Sequence, residues 1–531
     1  MKIYKKIVYD KNDNIIEEDS YEYQGQVAQA GGDSNPVKKI ITIAVVVAVA
    51  VVVFSNPAFV GSLSNFSFKK IGMRLLVSVG SSILGGVIGQ KLAPKIDPPN
   101  FGTTLESGIT VTAKAPTQPY RVIYGSARVG GTIVYAQTTS STNEFLHMVV
   151  VMAGHEVDDI TTIYLNDDAV ALETGSNDSN GIPIYTPTSS DQYNGKLQVK
   201  KHLGNADQLA DANLVADVTQ WTTAHKINGK AYLYLKFTFD SDVYPNGVPN
   251  VSAIIKGKKC YDPRATSFTA SSSTVSTSAN TITLSSHGLS TFDRATYDAN
   301  SNTAIGGLSN GSTYYVIKVD ANTIKLATNY TNCVAGTPIS LTSVSGSTTQ
   351  KFNFTTFTDN PVLALRDYLK DSVYGLTTGD DEINDTNFIA SANICDEVVT
   401  VTNPSGTEKR FTCNGSFQLS QTPKIIIENL LTTMGGGLIY SNGMFKVVPA
   451  TYLSPVVTLN ENNLRSGIAI NTRVSKKEIF NAVKGLYSEP ANDYQPQNYP
   501  ILTNSSYQSE DNGERIYAEF DYPFTNSSRM C

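Results

Sequence analysis

Two neighbouring stretches decide the fold: PYRVIYGSARVGGTIVYA at residues 119–136 and LHMVVVMAGHEVDDITTIYLND at residues 146–167. Their apolar runs are short, rich in Val, Ile and Tyr, and each is closed by Gly or a polar turn. That pattern belongs to strands joined by tight turns rather than to helices. Strands are expected over 121–124, 127–136, 146–153 and 160–165, and 107–115 upstream has the same character.

Working outward, the 206–225 stretch (ADQLADANLVADVTQWTTAH) is the best helical candidate in this half. A strand over 230–239 and a Pro245-Asn246-Gly247 turn follow, then Ile254-Ile255. Residues 266–354 are dominated by Ser, Thr and Asn, with short β runs at 281–284, 314–319 and 323–327. They read as a small all-β domain inserted in the chain, and His287 within it as a turn histidine.

The last third regains helix signals. Asn360-Pro361 opens a helix over 362–369, Asp385 caps one over 385–396, and Thr422-Pro423 starts one over 424–434 that Gly435-Gly436-Gly437 ends. Strands are expected at 438–440, 444–448, 456–459 and 482–487. The fold class is therefore mainly β with α+β parts. The divisions are an N-terminal β-hairpin arm (1–36), a hydrophobic segment (37–97), a β-rich domain (98–265), the inserted domain (266–356) and an α+β domain (357–531).

Composition agrees. The 531 residues carry 41 Lys+Arg against 47 Asp+Glu, a net charge of −6, which argues against a basic nucleic-acid-coating face. With 17% charged and 40% hydrophobic residues, the chain is no disordered polyelectrolyte. Cys260, Cys333, Cys395, Cys413 and Cys531 are widely spaced and form no CxxC, so neither a zinc ribbon nor a disulfide scaffold is supported. Synthesis in a reducing cytoplasm fits, with Cys395 and Cys413 as unpaired, semi-buried thiols.

The arm reads as a hairpin with the polar tip 10–14. Asp10, Asn12 and Asn14 half-resemble a calcium loop, but Ile15 stands where that loop needs Gly. Beyond it, 40–54 (IITIAVVVAVAVVVF) and 75–88 are apolar and shorter than the ~20 residues a bilayer core demands. Two readings stand. One is a membrane-active helical hairpin, with Ile40, Val47, Val53, Phe54, Leu75, Ile83, Leu84 and Ile88 as candidate residues. The other is a buried plug inside a symmetric oligomer.

His155-Glu156 begins like a zinc-peptidase motif, but Asp159 stands where the second His belongs, so His155 reads as a surface turn histidine. The chain has no GxSxG elbow and no P-loop, and Asp380-Asp381-Glu382 reads as a solvated loop. No catalytic, cofactor-binding or metal-binding residue is predicted, and the chain is not expected to be an enzyme.

Five stretches resemble the tail-tip or central hub proteins of tailed bacteriophages, including the host-specificity proteins of lambda-like phages. Pro119 to Gly125 with Arg128-Val129-Gly130-Gly131 resembles the family's opening strand pair, and 147–167 its following strand–turn–strand. Lys256 to Lys259 with Tyr261-Asp262-Pro263-Arg264 resembles a segment that the family joins closely to an Asp-Asn-Pro helix. Here that helix begins at Asp359-Asn360-Pro361 and runs through Leu365-Arg366-Asp367-Tyr368-Leu369, which independently marks the intervening residues as inserted. Phe480-Asn481-Ala482-Val483-Lys484-Gly485 and Asp521 to Thr525 resemble the closing strands. The resemblance makes Arg121, Tyr124, Gly125, Gly130, Tyr261, Pro263, Pro361, Arg366, Tyr368 and Asn481 structural motif residues.

What it implies is a non-enzymatic virion protein, a homotrimer at the distal end of the tail, made in the host cytoplasm and supporting host attachment and genome ejection. Partners would be other copies of itself, tail-tube and distal tail proteins, the tape-measure protein, receptor-binding or fibre proteins, and the host membrane. No cofactor is implied. DNA would pass without specific binding, since phosphate affinity comes mainly from Lys and Arg. Family members usually continue beyond the Pro-Phe-Thr stretch, so either the chain is a fragment or receptor binding belongs to another chain. A membrane-anchored surface adhesin and an envelope-glycan hydrolase are the alternatives, the first lacking an export signal and the second a supporting motif.

Overall fold

The computed structural model describes residues 2–9, 15–22, 118–264, 267–402, 405–455, 457–458 and 479–531. The chain divides into two compact units, Met1–Lys95 and Ile96–Cys531. In the first, Lys2–Tyr9 and Ile15–Glu22 form an antiparallel hairpin. The half-calcium loop of its tip and both apolar stretches, with all eight candidate membrane residues, lie outside the described residues, as do the strand expected at 107–115 and residues 456 and 459 of that at 456–459. Among the described residues no helix is long and apolar enough to cross a membrane.

The second unit is mainly β and built from several sheets. Its first part is a two-sheet sandwich. A six-stranded antiparallel sheet runs in the order Thr132–Thr139, Phe145–Ala153, Ala231–Thr238, Leu197–His202, Pro183–Pro187, Leu172–Asn177. A four-stranded sheet runs Ser126–Gly130, Val251–Lys256, Asp159–Leu165, Asp168–Ala169. Val129, Val150, Ile163, Leu233, Leu235 and Ile255 meet between them with no exposure. The run expected as one strand over 127–136 is two, because at Gly131 the chain crosses from one sheet to the other. A side chain there would overlap Val150, so only Gly lets the crossing pass that close.

Opposite faces of Ala231–Thr238 have different covers. Leu233 and Leu235 face the sandwich core, while Tyr232 and Tyr234 pack under Leu214, Val218 and Trp221. This cover corrects the helix expected over 206–225, which is helical only at Ala212–Asp217. Leu214, Val218 and Trp221 share helical spacing, but they follow the sheet rather than a helix axis. Asp211 fixes the start, its Oδ1 accepting from Leu214 N at 2.9 Å while Oδ2 meets Lys200 and His202, both at 2.7 Å. At Val218 the backbone is already extended.

Residues 267–357 build their own core around Tyr297, Val316, Ile324 and Phe352. Phe352 packs against Phe268 and Tyr297, with ring centroids at 5.2 and 5.4 Å. One long strand, Thr348–Phe357, joins this region to its host. Its first part pairs with Ser267–Ala270 and Arg294–Asp298, and Thr355 to Phe357 pair with Lys259–Tyr261. His287 stands in a turn as expected but is buried, accepting from Leu289 N at 2.9 Å, with Nε2 2.9 Å from the Asp320 carbonyl.

In the last part, the helices Pro361–Lys370, Asp385–Asp396 and Pro423–Thr432 surround a core that includes Leu365, Phe388, Phe417 and Leu430. Asn360 caps the first helix, accepting from Val362 N at 3.0 Å, with Pro361 at its first turn. The cap of the second is Asn384 rather than the expected Asp385, because the Asp385 carboxylate is engaged by Arg366. The run expected over 482–487 breaks at Gly485, where a side chain would overlap the Phe520 carbonyl. Residues 457–458 are not strand, and Cys260, Cys333, Cys395 and Cys413 are free and buried.

The separate core of residues 267–357 predicts a local effect. Phe352→Ala removes its central ring and should cost about 3–5 kcal/mol. Hydrogen exchange should accelerate across 267–357, whereas exchange spreading equally into the 118–264 sandwich would contradict an independent core.

Candidate functional site

Several of the residues singled out in the sequence meet at one junction. Arg121–Tyr124 is only four residues long, yet both its edges are used. On one side it pairs with Gly415–Gln418, Tyr124 opposite Gly415. On the other, the Ile123 carbonyl accepts from Lys258 N at 2.7 Å, and the Arg121 carbonyl accepts from Gly154 N at 2.9 Å. The Ile123 amide donates to His155 Nε2 at 2.9 Å. Gly125 follows with φ +59°, so close to the Cys413 carbonyl that no side chain would fit.

Charge converges on the end of the Pro361–Lys370 helix. Lys258 Nζ meets Asp367 at 2.5 Å and also pairs with Asp371. The Tyr124 hydroxyl donates to the same Asp367 oxygen at 2.7 Å. Burial pushes the Asp367 carboxyl up, and Lys258 draws it back only in part. Burial acts on Asp371 in the same sense, but Lys258 and the Tyr374 and Val373 amides outweigh it and hold that carboxyl below its usual value. Burial disfavours the Lys258 charge too, and the two carboxylates more than compensate, leaving its pKa raised.

The next residue works the other way. Lys259 reaches Asp293 of the 267–357 region at 2.5 Å and Glu156 of the sandwich at 3.0 Å. Adjacent side chains along an extended backbone point to opposite sides, so Lys258-Lys259 clamps the helix with one ammonium and residues 267–357 with the other.

Other motif residues have structural partners of their own. Arg366 grips Asp385 through Nε and Nη2 at 2.8 and 3.0 Å, its guanidinium 5.1 Å from the Tyr261 ring centre. Tyr368 is buried edge-on against Phe417. Arg121 Nη1 donates to the Gly130 carbonyl at 2.8 Å. Pro263 lies in the turn between Asp262 and Arg264, which are themselves paired at 2.8 Å. Asn481 stands apart, in the closing strands: its Nδ2 donates to Asp511 and to the Glu514 carbonyl, both at 2.8 Å, and its Oδ1 accepts from Ile516 N at 2.9 Å.

His155 corrects the expectation of a surface histidine. It is 3% exposed, and burial outweighs the Glu156 carbonyl to bring its pKa down to about 4. Arg128, Lys258, Asp367 and Asp371 carry no individual signal in the sequence. Arg128 is buried 3.8 Å from the Tyr164 ring centre, with Asp167 at 2.5 Å and Ser252 Oγ at 3.0 Å. Arg128, Lys258 and Asp367 fall inside the quoted stretches, whereas Asp371 lies just beyond Leu369. A cleft of about 450 Å³ beside the helix is lined by Arg366, Lys370, Asp367, Asp371, Asp380 and Asp385. Those charges pair internally, Lys370 with Asp380 as Arg366 with Asp385. Asp380–Glu382 forms a 3-10 turn at its rim. Among the described residues no group of three or more His, Cys, Asp or Glu is placed to hold a metal ion.

No family model matches this chain, and no curated protein matches it. A chain in a solved structure described as "Virion of native gene transfer agent (GTA) particle" is similar to it, with 12% sequence identity and a TM-score of 0.42, over 86% of this chain and 82% of that chain.

Two outcomes follow from the junction. Lys258→Met leaves Asp367 and Asp371 without their cation and should cost about 3 kcal/mol or more, read from urea unfolding. For His155 the folded pKa is depressed from 6.5 to about 4. The unfolded state then binds more protons between those values, and stability falls as pH drops through that window, by about 3 kcal/mol. His155→Gln, whose amide oxygen can still accept from Ile123, should flatten that part of the pH–stability curve.

Proposed function

We propose that this chain is a non-enzymatic structural component of a tailed-bacteriophage virion. In this reading it is the tail-tip or central hub that closes the distal end of the tail tube, assembled as a homotrimer. The supporting observation is how the motif side chains are spent. Tyr124, Arg366 and Asn481 direct their polar groups at Asp367, Asp385, Asp511 and backbone atoms of the same chain. Side chains saturated in this way act as structural members, because a catalytic group needs a reactive atom left for substrate.

The hub role asks for a rigid body that hands force from attachment proteins to the tube, and a junction knitted on both edges of one strand serves that purpose. Neighbours would be copies of the same chain, tube and distal tail proteins, the tape-measure protein and receptor-binding or fibre proteins.

Gold labelling of an epitope-tagged chain on purified particles tests the reading. Label at the distal tail tip is the expected result. Label on bacterial envelopes free of particles would favour the adhesin alternative, and its absence from particles would overturn the proposal.

A further inference from the structure

The N-terminal hairpin is charged in an unusual way. Lys2–Tyr9 carries three lysines, at 2, 5 and 6, and no acid. Ile15–Glu22 carries four acids, at 17, 18, 19 and 22, and no base. In register, Lys2 stands opposite Glu22 and Lys6 opposite Asp19. The hairpin is therefore a two-strand ribbon with one basic strand and one acidic strand. Among the described residues neither strand pairs with any other, so each leaves one backbone edge without a strand partner. An isolated two-stranded ribbon is marginal in water, and open edges invite further strands.

We propose that this hairpin joins copies of the chain head to tail, the lysine strand of one copy adding antiparallel to the acidic strand of the next. The geometry permits closure. Rotation about an axis along the strands preserves their directions, so each copy's Lys2–Tyr9 strand meets a neighbour's Ile15–Glu22 strand running the opposite way. Every new contact sets a strand with three lysines and no acid beside one with four acids and no base, and a closed ring leaves no edge.

Charge also selects against the simplest competitor. A dimer whose two-fold axis runs across the strands pairs like edges, either lysine strand with lysine strand or acidic strand with acidic strand, and like charges directly opposite are destabilising. The same composition thus favours a rotational, heterologous contact over an isologous one. This inference concerns one contact surface and goes beyond the virion reading. A hub could self-associate through other surfaces, so either idea can fail alone.

The test uses the full chain with Cys531→Ser, since Cys260, Cys333, Cys395 and Cys413 are buried. Copies carrying Tyr4→Cys are mixed with copies carrying Ser20→Cys and oxidised gently. Each copy then has one hairpin thiol, so any hairpin disulfide must link two copies. Mixed disulfides should exceed same-species ones several-fold. Adding Lys2→Glu, Lys5→Glu and Lys6→Glu makes both strands acidic and should abolish the cross-link. Adding Glu17→Lys, Glu18→Lys, Asp19→Lys and Glu22→Lys to that variant exchanges the signs and should restore it, which separates lost attraction from lost folding. Dominant same-species disulfides, no disulfide at all, or cross-linking that ignores the charge changes would overturn the inference. If sedimentation still shows an oligomer in such a case, the hub reading survives without it.

Discussion

One ammonium group, Lys258, stands between the carboxylates of Asp367 and Asp371, and much of the larger unit is arranged to keep it there. Placing charges out of water is costly, so such a cluster persists only where partners meet in good geometry and spare valences are filled. Here the Tyr124 hydroxyl fills one on Asp367, and the Val373 and Tyr374 amides fill others on Asp371. The strand carrying Tyr124 is bonded along both edges, and the backbone of Lys258 is tied to that strand. The ion cluster and the strand therefore constrain each other.

The same economy explains how a region of about ninety residues can interrupt the chain between Lys259 and the helix. Long connections cost little once their ends are fixed, and both ends are fixed here. Lys259–Tyr261 and the end of Thr348–Phe357 are neighbours in one sheet, and Lys259 ties Asp293 back to Glu156. Residues 267–357 also carry an aromatic core of their own around Phe352.

Elements were legible where the signal was local. The helices at 361–370, 385–396 and 423–432 carry Pro at the first turn or a side-chain cap, and the strands at 323–327 and 444–448 alternate or run apolar between turn residues. What failed was non-local. Leu214, Val218 and Trp221 mimic a helix face because they line a sheet that the chain reaches only after folding. Gly131 and Gly485 divide runs that read as continuous, since their need for Gly comes from Val150 and Phe520. His155 reads as a turn residue until the Ile123 amide is seen at its ring. The pairing of Lys258 with Asp367 spans 109 positions, and no spacing rule reaches that far.

Rigidity at this junction is the claim on which the rest depends, and native-state hydrogen exchange addresses it most directly. Amides of 121–124, 257–261, 361–371 and 415–418 should share a single opening free energy and shift together when dilute urea is added. Exchange of the 361–371 helix with a markedly lower opening energy than the 121–124 strand would mean the two are separately stable pieces, and the account of one body locked by a shared ion cluster would be wrong.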